Sequence, residues 1–222
     1  MKIKALVLSA LLITLQSKAS FDSFGDKEIR ILSSSMSPTL FTGIKYKVKT
    51  IYDRTKIKRF DIIVFNIYPK EQLKDYNFDE NCPLALSGIK KCYSEEKVLY
   101  SKRVIGLPND TISYKNGLFY VNGYPINKEQ TELNDFEAEE VSKIKTRLNI
   151  ERDFTVYQES FQEYSFKVMK NYQYKTRKLE ETITLKKGEY FVLGDNRTFS
   201  LDSRVLKGIK RKDMVYILKE GE

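Results

Sequence analysis

A mainly β body carrying an inserted mixed α/β cap is the fold class this sequence predicts. Three observations carry that expectation. Gly and Pro are scarce (10 and 5 of 222 residues) while Tyr and Phe are plentiful (15 and 13), the composition of a strand-rich globular chain. Several short runs alternate apolar and polar residues or stay apolar over strand length. One stretch, from about residue 127 to 186, breaks the pattern with helical spacing and polar, tyrosine-rich sequence.

Taken in order, the chain opens with Lys2 and Lys4 and then runs apolar through "ALVLSALLITL" (Ala5–Leu15). Eleven residues fall short of the roughly 20 that a membrane-spanning helix needs. The run fits the hydrophobic region of an export signal, with "SKA" (Ser17–Ala19) at a small-residue cleavage site. A short, uncleaved anchor with its lysines inside is the alternative. Residues 1–20 are thus a signal or anchor segment, and the rest is expected on the outer face of the membrane.

The strand candidates follow. "IKYKVKTIY" (Ile44–Tyr52) alternates apolar and basic residues, whereas "DIIVFNI" (Asp61–Ile67) is apolar enough to be buried on both faces. "KVLYSKRVIGL" (Lys97–Leu107) stops at "LPND", and "TISYKNGLFYVNG" (Thr111–Gly123) is two strands around an Asn116-Gly117 turn. "GEYFVLGD" (Gly188–Asp195) and "DMVYILK" (Asp213–Lys219) complete the body, which is assigned to 21–126 and 187–222. In the 127–186 cap, Val141, Ile144 and Leu148 share one helix face, with Asn134 or Asp135 as N-cap.

The net charge of +9 raises nucleic-acid binding, yet no helix-turn-helix, zinc-finger or base-stacking signature accompanies it. A lysine-rich solvated surface or attraction to an anionic membrane surface remains. Cys82 and Cys92 fit either a loop-clamping disulfide or two free thiols. The lack of histidine and of a C-x-x-C pair argues against a zinc site.

The absence of histidine also restricts catalysis. A serine nucleophile needs a base, and without imidazole the remaining solution is lysine. An ordinary lysine, with a pKa near 10.4, is protonated at neutral pH, so a lysine base must be buried among apolar groups. Most basic residues here lie in polar runs. Lys102 is flanked instead by Val98, Leu99, Val104 and Ile105.

Four segments bring these residues together. "SSSMSPTL" (33–40), "KRFDIIVF" (58–65), "SKRVIGLPND" (101–110) and "GDNRTFSLDSR" (194–204) resemble, in order, the S-x-M-x-P-T-L, R-G-D-I-V-V-F, K-R-V-x-G-L-P-G-D and G-D-N-R-x-N-S-x-D-S-R boxes of bacterial type I signal peptidases, the Ser-Lys leader peptidases. The resemblance implies a fold of two coiled antiparallel sheets with a capping insertion. It implies that Ser35 is the nucleophile and Lys102 the general base. The Ser35 amide and Ser33 hydroxyl would hold the oxyanion, and Ser200 would orient the lysine. Met36 and Pro38 would shape the nucleophile loop and its apolar, membrane-facing side. Asp195 would pair with Arg103 and Asp202 with Arg204, as scaffold rather than catalytic carboxylates, and Asn196, Arg197 and Ser203 are box scaffold.

The implied activity is cleavage of signal peptides from exported precursors after small residues at −3 and −1, by a monomer at the membrane surface, with neither metal nor cofactor. A specialised processing peptidase of the conjugative-transfer kind uses the same chemistry, and an inactive basic periplasmic binding protein is the reading from another class. Three departures stand out. Phe60 and Asn109 replace glycines, and Phe199 replaces an asparagine beside Ser200.

Overall fold

A computed structural model describes residues 27–68, 98–174 and 178–218 of the chain. The apolar segment Ala5–Leu15 and both cysteines lie outside the described residues. Among the described residues, no helix is long and apolar enough to cross a membrane.

The body is built on a seven-stranded antiparallel sheet in the order β1-β2-β14-β3-β4-β12-β13. Its members are β1 (Lys27–Arg30), β2 (Lys45–Thr50), β3 (Ile62–Ile67), β4 (Val98–Gly106), β12 (Glu189–Leu193), β13 (Ile209–Lys210) and β14 (Met214–Leu218). β3 and β4 occupy the interior of this sheet: β3 is apolar but for Asn66, and β4 is buried from Lys102 to Gly106. Their register sets Ile63 opposite Lys102 and Ile62 opposite Arg103. β1 falls on a segment with no clear alternation, and the sequence did not mark it.

A second, four-stranded sheet runs β11-β5-β6-β7, from β5 (Thr111–Lys115), β6 (Leu118–Val121), β7 (Tyr124–Pro125) and β11 (Ile183–Thr184). Asn116 and Gly117, both at positive φ (51° and 84°), make the expected hairpin turn. The third sheet, β10-β9-β8, comes from β8 (Asn127–Gln130), β9 (Thr155–Phe161) and β10 (Tyr164–Lys170). Every strand pair in the three sheets is antiparallel.

Helix α1 spans Asp135–Leu148 and starts at Asn134, whose side chain accepts from the Glu137 amide while Glu137 reaches back to the Asn134 amide. This reciprocal cap satisfies two of the donors that a helix start leaves open. Val141 and Ile144 are buried against Phe41, Val156 and Met169, so the stripe read from the sequence faces the core.

The polar-looking segment after the helix is the hairpin β9–β10. Its strand period was hidden because the face that turns inward carries Tyr157, Glu159 and Phe161, a carboxylate between two aromatics. Phe161, Phe166 and Val168 of this hairpin share one apolar cluster with Phe60, Ile105, Phe119, Phe191 and Leu193 of the body. This hairpin therefore packs into the same core as the strands of the body.

Two of the three departures now have a physical account. Asn109 sits at φ 74°, a left-handed conformation that asparagine tolerates better than most residues. Phe60 sits at φ 72°, where a β-carbon costs on the order of 1–2 kcal/mol. Its ring is buried and lies 5.1 Å from Phe166, 5.5 Å from Tyr164 and 6.2 Å from Phe161. Burying a phenylalanine is worth about 2–3 kcal/mol, enough to offset the backbone strain.

Candidate active site

The nucleophile segment Ser33–Leu40 is a tight irregular loop after β1. The Thr39 and Leu40 amides both donate to the Met36 carbonyl at 2.9 Å, and the Ser37 amide donates to the Ser34 carbonyl at 3.2 Å. Met36 anchors the loop: its side chain is buried (1 % exposed) with Ile31 and Leu40. That corrects the expectation that it shapes a surface-facing side. The exposed apolar residue just before this segment is Leu32, at 61 %. Pro38 is also buried, and its bond from Ser37 is cis. An open hollow of about 490 Å³ beyond Pro38 and Thr39 is lined by cap residues and Arg103, and includes neither Ser35 nor Lys102.

Lys102 reaches this loop from β4. Strand alternation puts Tyr100, Lys102 and Val104 on one face, and the lysine lies over the Tyr100 ring at 5.2 Å. Its Nζ donates to Ser35 Oγ at 2.7 Å and to the Ser101 carbonyl at 2.8 Å. Ser33 Oγ is 3.2 Å from Ser35 Oγ, so the two serines and the lysine meet at one point. Lys102 is 1 % exposed. Burial pushes its pKa down to about 8, against the upward pull of Asp202 and Asp195 and with the help of Arg204.

The two aspartates are kept off the amine by arginines. Arg103 donates to Asp195 through Nε at 3.0 Å and through a terminal nitrogen at 2.7 Å, and to the Phe60 carbonyl at 3.0 Å. Thr39 Oγ1 donates to Asp195 at 2.5 Å and accepts from Arg103 at 3.2 Å, a bridging role that sequence reasoning missed although Thr39 lies inside the first box. Arg204 pairs with Asp202 at 2.8 and 2.7 Å. Burial alone would raise the Asp202 pKa, but the Arg204 charge and hydrogen bonds from Arg204, Gly194 and Ser200 hold it below its ordinary value.

The last box wraps the same centre. The Asn196 amide donates to the Ser35 carbonyl at 3.1 Å and its side-chain amide to the Ser34 carbonyl at 3.2 Å. Ser200 is buried (1 % exposed) and hydrogen-bonds Asp202. It packs so closely on Gly194 that a β-carbon there would lie 2.1 Å from Ser200 Oγ and 2.5 Å from the Ser35 carbonyl. Ser203 Oγ accepts from the Val192 amide at 2.9 Å. The ring of Phe199, the third departure, packs on Tyr174 at 5.2 Å and Phe154 at 6.1 Å. Ser33, Ser35, Lys102 and Asn196 are thus joined by direct hydrogen-bond contacts, and Arg103 and Arg204 pair with Asp195 and Asp202.

Comparison with known proteins points the same way. The signal peptidase family described as "Signal peptidase, peptidase S26" matches residues 2–217. The chain belongs to that family. Among its relatives, the signal peptidase I P of Bacillus subtilis subsp. natto is 29% identical over 215 residues, covering 96% of this chain and 83% of the relative. The signal peptidase I of Bacillus caldolyticus is 32% identical over 182 residues, covering 82% and 70%. A crystal structure of a signal peptidase I from Enterococcus faecalis V583 aligns with 74% of this chain and 98% of its own, at 25% identity and a TM-score of 0.36. Membership in this family supports signal peptide cleavage, and precursors bearing signal peptides as its substrates.

Proposed function

We propose that this chain is a membrane-associated serine endopeptidase in which Ser35 attacks the scissile carbonyl and Lys102 is the general base. One observation carries the reading: an amine buried away from water, with a pKa near 8, sits 2.7 Å from a serine hydroxyl in a chain without histidine. Once Lys102 is neutral, the hydrogen bond reverses, and the Ser35 hydroxyl donates to the amine lone pair. Proton transfer to Nζ accompanies attack, and the ammonium then protonates the leaving amine. The acyl-enzyme is hydrolysed by a water that the same lysine deprotonates.

The oxyanion is held by the Ser35 amide and the Ser33 hydroxyl, whose side chain already lies against Ser35. One such donor is typically worth 10²–10³ in rate. Ser200, buried against Gly194, orients the Lys102 amine through its hydroxyl, a partner that adds no charge. The substrates are exported precursors cut after small residues at −3 and −1, on the outer face of the membrane. An inactive binding protein has no chemical need for a dry lysine against a serine.

The test uses purified chain with a precursor carrying small residues at −3 and −1, in detergent or lipid. Cleavage is expected, lost in Ser35→Ala and in Lys102→Ala, with kcat/KM rising as pH passes through about 8, the lysine pKa. Undiminished cleavage in either variant, or a rate falling over that pH range, would overturn the mechanism.

A further inference from the structure

We infer that Glu159, on the cap hairpin and outside the four boxes, is a positioning residue for the nucleophile. The inference rests on the serine–lysine reading above. Glu159 and Arg197 form a bidentate ion pair, with Arg197 donating at 3.0 and 2.6 Å and both side chains 7 % exposed. An ion pair so far from water is expensive to desolvate and contributes little net stability. Its geometry points to what it does instead.

The same guanidinium donates through Nε to the Gly194 carbonyl at 3.1 Å. Gly194 is the residue against which Ser200 and the Ser35 carbonyl close. Two positions on, Asn196 donates to the carbonyls of both Ser35 and Ser34. The chain therefore runs from the Glu159 carboxylate to the Arg197 fork, to the Gly194–Asn196 backbone, to the nucleophile's own peptide units.

Neighbouring contacts bind the cap to this segment along its length. The Met169 amide donates to the Asp195 carbonyl and the Arg197 amide to the Met169 carbonyl, each at 2.9 Å. These form an isolated parallel bridge between cap and box. Thr198 Oγ1 accepts from the Asn171 amide at 2.9 Å and donates to the Asn171 carbonyl at 3.3 Å. Among the described residues of this seam, the Glu159–Arg197 pair is the ionic contact. Arg197 also fills the space beside Phe119, with its guanidinium 5.7 Å from the ring centre. Cap and catalytic loop thus move as one unit, and Glu159 sets where the Ser35 carbonyl, and with it the Ser35 amide and hydroxyl, stands relative to Lys102.

The experiment replaces both partners, Glu159→Met with Arg197→Met, because exchanging a buried pair for apolar side chains of similar volume commonly preserves stability. The expected result is a folded protein whose kcat falls at least about tenfold with KM little changed, since small misplacements at a reacting centre carry penalties of that order or more. The acid limb of its pH profile moves to higher pH, because a loosened loop admits water to Lys102. The Asn196 amide, which donates to Ser35, loses at least tenfold in hydrogen-exchange protection, while the Val64 and Val104 amides on β3 and β4 keep theirs.

Glu159→Asp, which keeps the charge, recovers part of that protection. Lys143→Gln, which breaks exposed helix ion pairs to Glu139 and Glu140, leaves kcat and exchange unchanged. Exchange needs no turnover, so a wild-type chain that cleaves nothing refutes the proposed function and still leaves the positioning role decided by Asn196. Wild-type protection at Asn196 with an unmoved pH limb in the double variant would overturn the role of Glu159.

Discussion

Replacing Lys102 by methionine should abolish activity and stabilise the fold. The lysine is 1 % exposed, and its pKa falls from 10.5 to about 8 on burial. At about 1.4 kcal/mol for each pH unit, that corresponds to roughly 3 kcal/mol that the fold supplies whenever the unfolded lysine is protonated. Methionine removes this penalty at similar volume. It also loses the amine's hydrogen bonds to Ser35 and to the Ser101 carbonyl, about 1 kcal/mol each at most. The variant should therefore be more stable than wild type by about 1–2 kcal/mol at pH 6.5.

The pH dependence carries a sign that a simple packing effect lacks. Below pH 8 the lysine is protonated in both folded and unfolded wild type, so the gap is constant. Between about 8 and 10.5 the unfolded chain holds a proton that the folded one has released, so wild-type stability rises with pH. The gap should shrink by about 2 kcal/mol from pH 8 to 9.5, leaving the two proteins nearly equal. Urea unfolding of both proteins at pH 6.5, 8 and 9.5 measures this, and groups common to both cancel in the difference. A variant less stable than wild type at pH 6.5, or a gap that does not change with pH, would refute the claim that burial lowers the Lys102 pKa.

Gly194→Ala places a β-carbon against the Ser35 carbonyl and Ser200, and the resulting shift should lower kcat by about 10² or more. Burst and steady-state kinetics on a precursor peptide would show it, and near-normal turnover would mean that the contact relaxes harmlessly. Phe60→Gly relieves the left-handed strain but removes the ring from Tyr164, Phe161 and Phe166. Losing the ring costs about 3–5 kcal/mol and strain relief returns about 1–2. A net loss near 2 kcal/mol is expected in urea unfolding, and a more stable variant would contradict the balance drawn here.

Much of the body was legible because its physics is local. β3 and β4 announce themselves by apolar runs, the β5–β6 hairpin by Asn116-Gly117, and α1 by a cap residue followed by a 3.6-residue stripe. The hairpin β9–β10 was not legible, because Glu159 interrupts its inward face and is neutralised by Arg197, a residue 38 positions away in sequence. The first box fixes the identity of Met36 but not the direction of its side chain, which packs inward with Ile31 and Leu40.

The sequence by itself determined which chemistry is open to this protein. A chain without histidine, with serines before Met-Pro-type turns and one lysine among aliphatic neighbours, confines nucleophilic catalysis to an amine base, since side-chain chemistry is set by composition. Only the tertiary structure decided whether that amine is usable. The contact between Ser35 and Lys102 spans 67 positions, and the lowered lysine pKa depends on excluded water and on the balance of Asp202, Asp195 and Arg204. Dryness and the balance of neighbouring charges are properties of packing among distant segments, and no local run of residues contains them.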